Sequence, residues 1–332
     1  MSATPERLLN LPPKEPLTYE GILHLLPDAV NFARVETDSI RLAQTAEGKF
    51  ALSYLFANRN LLKPVLSDLQ SISPDLLQPV GGASHNPERR IDSIGSAVAR
   101  VLSQESEKIP GFFMRTEESA DWESLSTIDT PIQSGERFAV IDPLDMTSAI
   151  PRDDRVQSTG IAIYDRKGEI KALGIMSLVD DGFIFIENVN GEFFTYSTPE
   201  PDNKQRENEP LRVAAKSRRM YTLKDSPLMQ GNTWSLNCDS GFAALALQEG
   251  KIDTIVDHIK GSLWYEVVIW ARALQILGFP VTDKHGNPID FGAAVRRVIE
   301  KHEGDTYRIP FVISRTPDIH TQVLDLLQKQ PA

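Results

Sequence analysis

Two carboxylates separated by a proline and a leucine, Asp142-Pro143-Leu144-Asp145, are the residues of this sequence best placed to do chemistry. They follow the apolar, partly β-branched run Phe138-Ala139-Val140-Ile141, which has the composition of a buried strand. Pro143 has no N–H to give to a sheet ladder, so the strand is expected to stop there and turn. Such a turn would set Asp142, the Leu144 carbonyl and Asp145 on one side of a loop, an all-oxygen donor set suited to a hard divalent cation such as Mg²⁺. Met146, Thr147 and Ser148 come next, and their N–H groups and hydroxyls would face an anion if a helix began there. A metal cradle joined to an anion pocket is the minimum apparatus for metal-assisted phosphate hydrolysis. A capped strand end would explain the same residues without any chemistry.

Other polar residues stand at the ends of expected elements. Asp92 opens a helix over residues 91–102 that carries Ile94, Val98, Val101 and Leu102 on one face. A carboxylate is favoured at that position by the unpaired N–H groups and the helix dipole, so N-capping alone would explain it. Glu117 and Glu118 end a short apolar strand that starts at Phe112. Adjacent strand residues face opposite sides, so at most one of the two would enter a shared site. Glu266 lies on an apolar helix that ends at Gly278, where a buried carboxylate would need a cation to offset its desolvation. Asp239 precedes a helix over 242–248 and reads as an N-cap or as an acceptor for substrate hydroxyls. Arg152 and Arg155 could supply positive charge near a phosphate, but they stand beside Asp153 and Asp154 and are expected rather to pair locally.

Three of these stations occur in the order that marks the inositol monophosphatase superfamily of Mg²⁺-dependent phosphatases. That family has a Glu-Glu pair, then Asp-Pro-(Ile/Leu)-Asp-Gly-(Thr/Ser), then a distant Trp-Asp. The chain resembles it from about residue 88 to residue 327. The resemblance implies an α+β fold, a five-layered αβαβα sandwich with the site in a cleft between its halves. It implies a first Mg²⁺ on Glu117, Asp142 and the Leu144 carbonyl, and a second on Asp142, Asp145 and Glu266, with Asp92 supporting a third, weaker site. It also implies that Thr147, linked to Asp92, helps polarise the attacking water, with Glu117 in the same catalytic group. The N–H groups of Met146 and Thr147, with Ser148, would hold the phosphate. The stretch before Lys216-Ser217-Arg218 is similar to the nucleotidase branch, which makes those three residues candidates for phosphate or nucleotide contacts. Three departures stand out: Met146 in place of glycine, Ala149 in place of asparagine, and Glu266 in place of aspartate. The expected activity is hydrolysis of a small phosphate monoester, whether an inositol phosphate, a sugar phosphate or a nucleotide bisphosphate. A catalytically reduced relative that binds metal or phosphate, or serves in an assembly, is the alternative. A homodimer is implied by the resemblance only.

The elements that must position these residues fall into three stretches: a helical N-terminal extension (1–80), an α+β half with the metal motif (81–198) and a C-terminal α/β half (199–332). Two or three helices are expected within 18–77, the last from Leu61 to Leu69. Gly81-Gly82 and Pro87 read as a loop. A meander of strands is expected over 172–195, turned by Asp180-Asp181-Gly182 and Asn190-Gly191. With 332 residues, a net charge of −11 and 41% hydrophobic residues, the chain suits a globular enzyme and not a partner of nucleic acid or anionic membrane. No apolar run is long enough to cross a bilayer, Met1-Ser2-Ala3-Thr4 lacks a signal core, and Cys238 is the single cysteine. The expectation is a cytoplasmic protein.

Overall fold

The structure is a computed structural model that describes residues 42–66, 77, 79–83, 86–89, 91–105, 112–116, 122–124, 135–145, 156–200, 209–215, 228, 233–235, 241–301 and 307–329. The first described helix, α1 (Ala46–Leu66), is continuous where separate helices were expected. Its polar stretch Asn58-Arg59-Asn60 does not break it, because Asn58 is buried and bonded to the sheet below. The residues expected to be a loop at Gly81-Gly82 instead form the antiparallel pair β1 (Pro79–Ala83) and β2 (Asn86–Arg89). Helix α2 (Asp92–Glu105) follows.

Seven strands form the first sheet: β3 (Phe112–Thr116), β4 (Glu123–Ser124), β5 (Arg137–Asp145), β6 (Ser158–Asp165), β7 (Ile170–Ser177), β8 (Phe183–Val189) and β9 (Glu192–Thr198). Their order is β4-β3-β5-β6-β7-β8-β9, and β3 runs parallel to β5 in an otherwise antiparallel sheet. Alternation sends Ala139, Ile141, Ile161 and Ile163 into a core shared with α1 and α2. Phe138, Val140, Ala162 and Tyr164 point the other way. They meet α3 (Gly241–Gln248) and α4 (Trp264–Ile276), which explains why both of these helices are apolar nearly all round.

Beyond α3 and α4 lies the second sheet. It comprises β10 (Arg212–Ala215), β11 (Thr233–Ser235), β12 (Thr254–Leu263), β13 (Val281–Thr282) and β14 (Arg308–Ser314), in the order β11-β10-β12-β14-β13. Helix α5 (Phe291–Lys301) joins the middle layer, and α6 (Pro317–Gln328) covers the outer face through Ile319, Val323 and Leu327. The result is the five-layered αβαβα sandwich. No described helix is long and apolar enough to cross a membrane.

An ion-pair cluster around a buried carboxylate fastens one end of the three central strands of the second sheet, β10, β12 and β14. Asp253 accepts from Arg212 Nε at 2.9 Å and Nη2 at 2.7 Å, and Arg315 Nη2 lies 3.3 Å away. Burial alone would raise the Asp253 pKa, but the Arg212 hydrogen bonds and the two guanidinium charges hold it below the usual carboxylate value. A carboxyl depressed in the folded state stabilises above its unfolded pKa, and that contribution is lost as pH falls through the folded value. Asp253→Asn is expected to cost about 3 kcal/mol at neutral pH, since it leaves the buried Arg315 and the partly exposed Arg212 without their counter-charge. Urea midpoints of the two proteins should converge below about pH 4. A gap that does not change with pH would show that the charge of Asp253 is not what matters.

Candidate active site

β5 does not stop at Pro143. It continues to Asp145, but its register against β6 slips: Asp142 faces Gly160 and Asp145 faces Ser158, so three steps on β5 meet two on β6. The extra residue makes a bulge, and Pro143 sits in it, where a missing N–H costs no ladder bond. The bulge also changes which way the side chains point. Val140 packs with the α3–α4 layer, so Asp142, two residues on, faces the same way. Leu144 packs with α1 and α2, and Asp145 returns to the α3 side, where its Oδ2 accepts from Gly241 N at 2.7 Å and Ser158 Oγ at 3.1 Å. An Asp pair three apart would face opposite ways on a regular strand; here both carboxylates face the middle layer.

Residues outside β5 fix this backbone. Asn58 of α1 donates Nδ2 to the Pro143 carbonyl at 2.7 Å and to Thr159 Oγ1 at 2.9 Å. Thr159 donates in turn to the Asp142 carbonyl at 3.2 Å. From the same side, α2 abuts the bulge so closely that a Cβ on Gly95 would lie 2.5 Å from Pro143 Cβ. That contact brings the first turn of α2, with Asp92, to the bulge. From the other side, a Cβ on Gly160, the partner of Asp142, would lie 2.9 Å from Ile269 Cγ2 on α4. Glu266 is one turn earlier on the same helix face as Ile269.

Asp142, Leu144 and Asp145 thus stand together at one end of β5, with the helix that Asp92 opens packed against the bulge at Gly95 and the helix that carries Glu266 packed against Gly160. Asp92, Asp142 and Asp145 are only 2%, 7% and 9% exposed. Glu266 departs from expectation. It is half-buried, and its Oε2 accepts from Leu263 N, the N-cap N–H of its own helix, at 3.2 Å, so the helix terminus gives this carboxylate a partner other than a cation. Glu117, Met146, Thr147, Ser148, Ala149, Lys216, Ser217, Arg218 and Asp239 lie outside the described residues, as do Arg152 and Arg155. Glu117 is next in sequence after Thr116, the β3 residue that pairs with Ile141.

The donor set fits a hard divalent ion in kind: every candidate is a carboxylate or carbonyl oxygen, and a hydrogen-bonded carboxylate keeps further lone pairs for a metal. Among the described residues, however, no group of three or more His, Cys, Asp or Glu side chains is arranged to hold one.

Arg115 was not foreseen. It is buried on β3 and shares a strand face with Phe113, and its guanidinium lies 5.5 Å from the Trp264 ring centroid, two residues before Glu266. It brings positive charge to the layer the carboxylates face. The signal was available: an arginine at an inward position of an alternating strand, two residues before Glu117. Asn58, Thr159, Ser158 and Gly241 carried no such local mark.

No family model matches the sequence, and neither does any curated protein sequence. Solved structures do match. The extragenic suppressor protein SuhB of Bartonella henselae aligns with a TM-score of 0.61 at 16% identity, covering 84% of this chain and 97% of that one. An inositol monophosphatase from Zymomonas mobilis aligns at 0.56 and 12% identity, over 86% of this chain and 100% of that one. An IMPase/NADP phosphatase solved with Mg²⁺ and phosphate aligns at 0.50 and 14% identity, over 70% and 79%. The chain thus has a layered α+β phosphatase fold. More narrowly, it is the fold of the inositol monophosphatases.

Proposed function

We propose that the chain is a metal-dependent phosphomonoesterase acting on a small phosphorylated metabolite at the end of β5. The observation that carries the reading is the bulge at Pro143, which turns Asp142 and Asp145, both buried, toward one layer of an inositol-monophosphatase fold. Asp142, the Leu144 carbonyl, Asp145, Glu266 and Glu117 would hold Mg²⁺, with Asp92 beside them. Bound there, Mg²⁺ would lower the pKa of a water and neutralise charge on the phosphoryl group. The chain's own residues do the rest. Asn58 and Thr159 fix the backbone between the two aspartates, and Gly241 N and Ser158 orient the Asp145 carboxylate. Arg115 offsets part of the negative charge gathered on that face. Met146, Thr147 and Ser148 would contact the phosphate, while Lys216, Ser217, Arg218 and Asp239 would contact the remainder of the substrate. Two copies of the chain would pair as a homodimer, a point sedimentation would check.

A second reading has its own support. Asp145 and Glu266 both accept hydrogen bonds from helix N-termini, which satisfies them without a metal. A protein that binds phosphate without turning it over would show the same bonds. Phosphate release from a panel of inositol, sugar and nucleotide monoesters separates the two. The phosphomonoesterase reading expects release that rises with Mg²⁺ and disappears in EDTA. Absence of release from every ester at all Mg²⁺ concentrations would leave only the binding reading.

A further inference from the structure

We propose a second site, for a small phosphate-bearing metabolite, at the end of the first sheet away from the carboxylates. A cleft of about 490 Å³ opens there between the β6–β7 turn, the β8–β9 hairpin, the last turns of α4 and the start of α5. That volume is in the range of small-molecule pockets, roughly 300–1,000 Å³. Three cations line it: Lys167, Arg272 and Arg296. Arg296 has Asp290 beside it, which leaves Lys167 and Arg272 as two like charges whose repulsion an anion in the cleft would relieve.

Of the two carboxylates at the cleft, Glu169 serves a lysine outside the lining and Asp290 pairs with Arg296. Glu169 lies 3.2 Å from Lys171 Nζ. Asp290 accepts from Ala293 N at 2.8 Å at the head of α5, and it is 3.7 Å from Arg296 Nη2. Arg296 is held in place by donating Nη1 to the Lys167 carbonyl at 2.7 Å. Arg272 donates to the neutral Gln275 side chain, which donates in turn to the Ile289 carbonyl at 3.1 Å. Among the described residues no carboxylate forms an ion pair with Arg272, which leaves its charge for a ligand in the cleft. Phe193, 41% exposed, offers a flat apolar wall on which a ring could lie.

This cleft is separate from the candidate active site. Gly160, opposite Asp142, precedes the Asp165 end of β6 by five residues, about 16 Å of strand. Its assignment does not depend on the chain being a phosphatase.

Calorimetric titration of the EDTA-treated full chain with AMP and with inorganic phosphate tests the site, with adenosine as the probe lacking phosphate. AMP should bind and adenosine should not. Arg272→Gln should weaken AMP at least about tenfold, the scale of one charge-assisted contact, and Lys167→Gln, a change at an exposed position, should weaken it in the same direction with an unchanged melting temperature. Asp142→Asn should bind AMP as the wild type does. Absence of binding at millimolar AMP would overturn the proposal, as would wild-type affinity in both cleft variants or loss of binding in Asp142→Asn. Binding of adenosine as tight as AMP would also overturn it, since the cations would then be idle.

Discussion

Asparagine at position 145 is expected to leave the protein folded and without activity, whereas alanine should remove both activity and stability. Asp145 Oδ2 takes the Gly241 N–H at 2.7 Å and the Ser158 hydroxyl at 3.1 Å, tying the head of α3 to β5. An asparagine oxygen can still accept both bonds. Alanine cannot, and stranding the buried Gly241 N–H costs about 1–3 kcal/mol. What asparagine lacks is the negative charge that a divalent ion requires. If Asp145 is a metal ligand, phosphate release should fall by at least about a hundredfold in both variants, the scale of removing one electrostatic contact to a transition state. Denaturant midpoints measured beside turnover read the two roles separately. Wild-type turnover in Asp145→Asn would reduce this carboxylate to a helix cap.

The second large effect is on folding. Glu187 of β8 is fully buried and takes the two N–H groups just before α1 and the hydroxyl that caps it: Gln44 N at 2.9 Å, Thr45 N at 2.6 Å and the Thr45 hydroxyl, whose oxygen accepts from Gly48 N. A carboxylate at a helix N-terminus also meets the positive end of the dipole. Glu187→Ala would leave these donors facing a cavity, and a loss of about 3–5 kcal/mol is expected, as for other broken buried charge contacts. Because α1 supplies Asn58 to the Pro143 carbonyl, phosphate release should fall as well. Chemical denaturation of the variant checks the first effect, and a midpoint within error of the wild type would contradict it. Glu187→Gln, which keeps an acceptor oxygen, should lose less.

Where local chemistry dictated local structure, the sequence was legible. Asn190-Gly191 predicted a tight hairpin, and the two residues adopt φ values of 55° and 94° between β8 and β9. The helical spacing of Ile94, Val98, Val101 and Leu102 marked the buried face of α2. Where long-range pairing decided, it was not. Pro143 reads as a strand terminator, yet β5 passes through it because β6 accepts the bulge, a fact of register that no single-strand pattern contains. Asn58 has no mark in its own stretch of sequence and is a buried clamp whose partners lie 85 and 101 residues away. The cation expected beside Glu266 left out of account the Leu263 N–H at the start of its own helix, which its carboxylate accepts. Arg115 shows the reverse case, a signal present in strand alternation and passed over.

The most direct test follows divalent-ion binding itself. Titration of Mn²⁺ into the wild type and into Asp142→Asn, read by the electron paramagnetic resonance of the free ion, should show ions withdrawn from solution by the wild type and markedly fewer by the variant. Equal uptake by both proteins, or none by either, would contradict a metal centre at the β5 bulge.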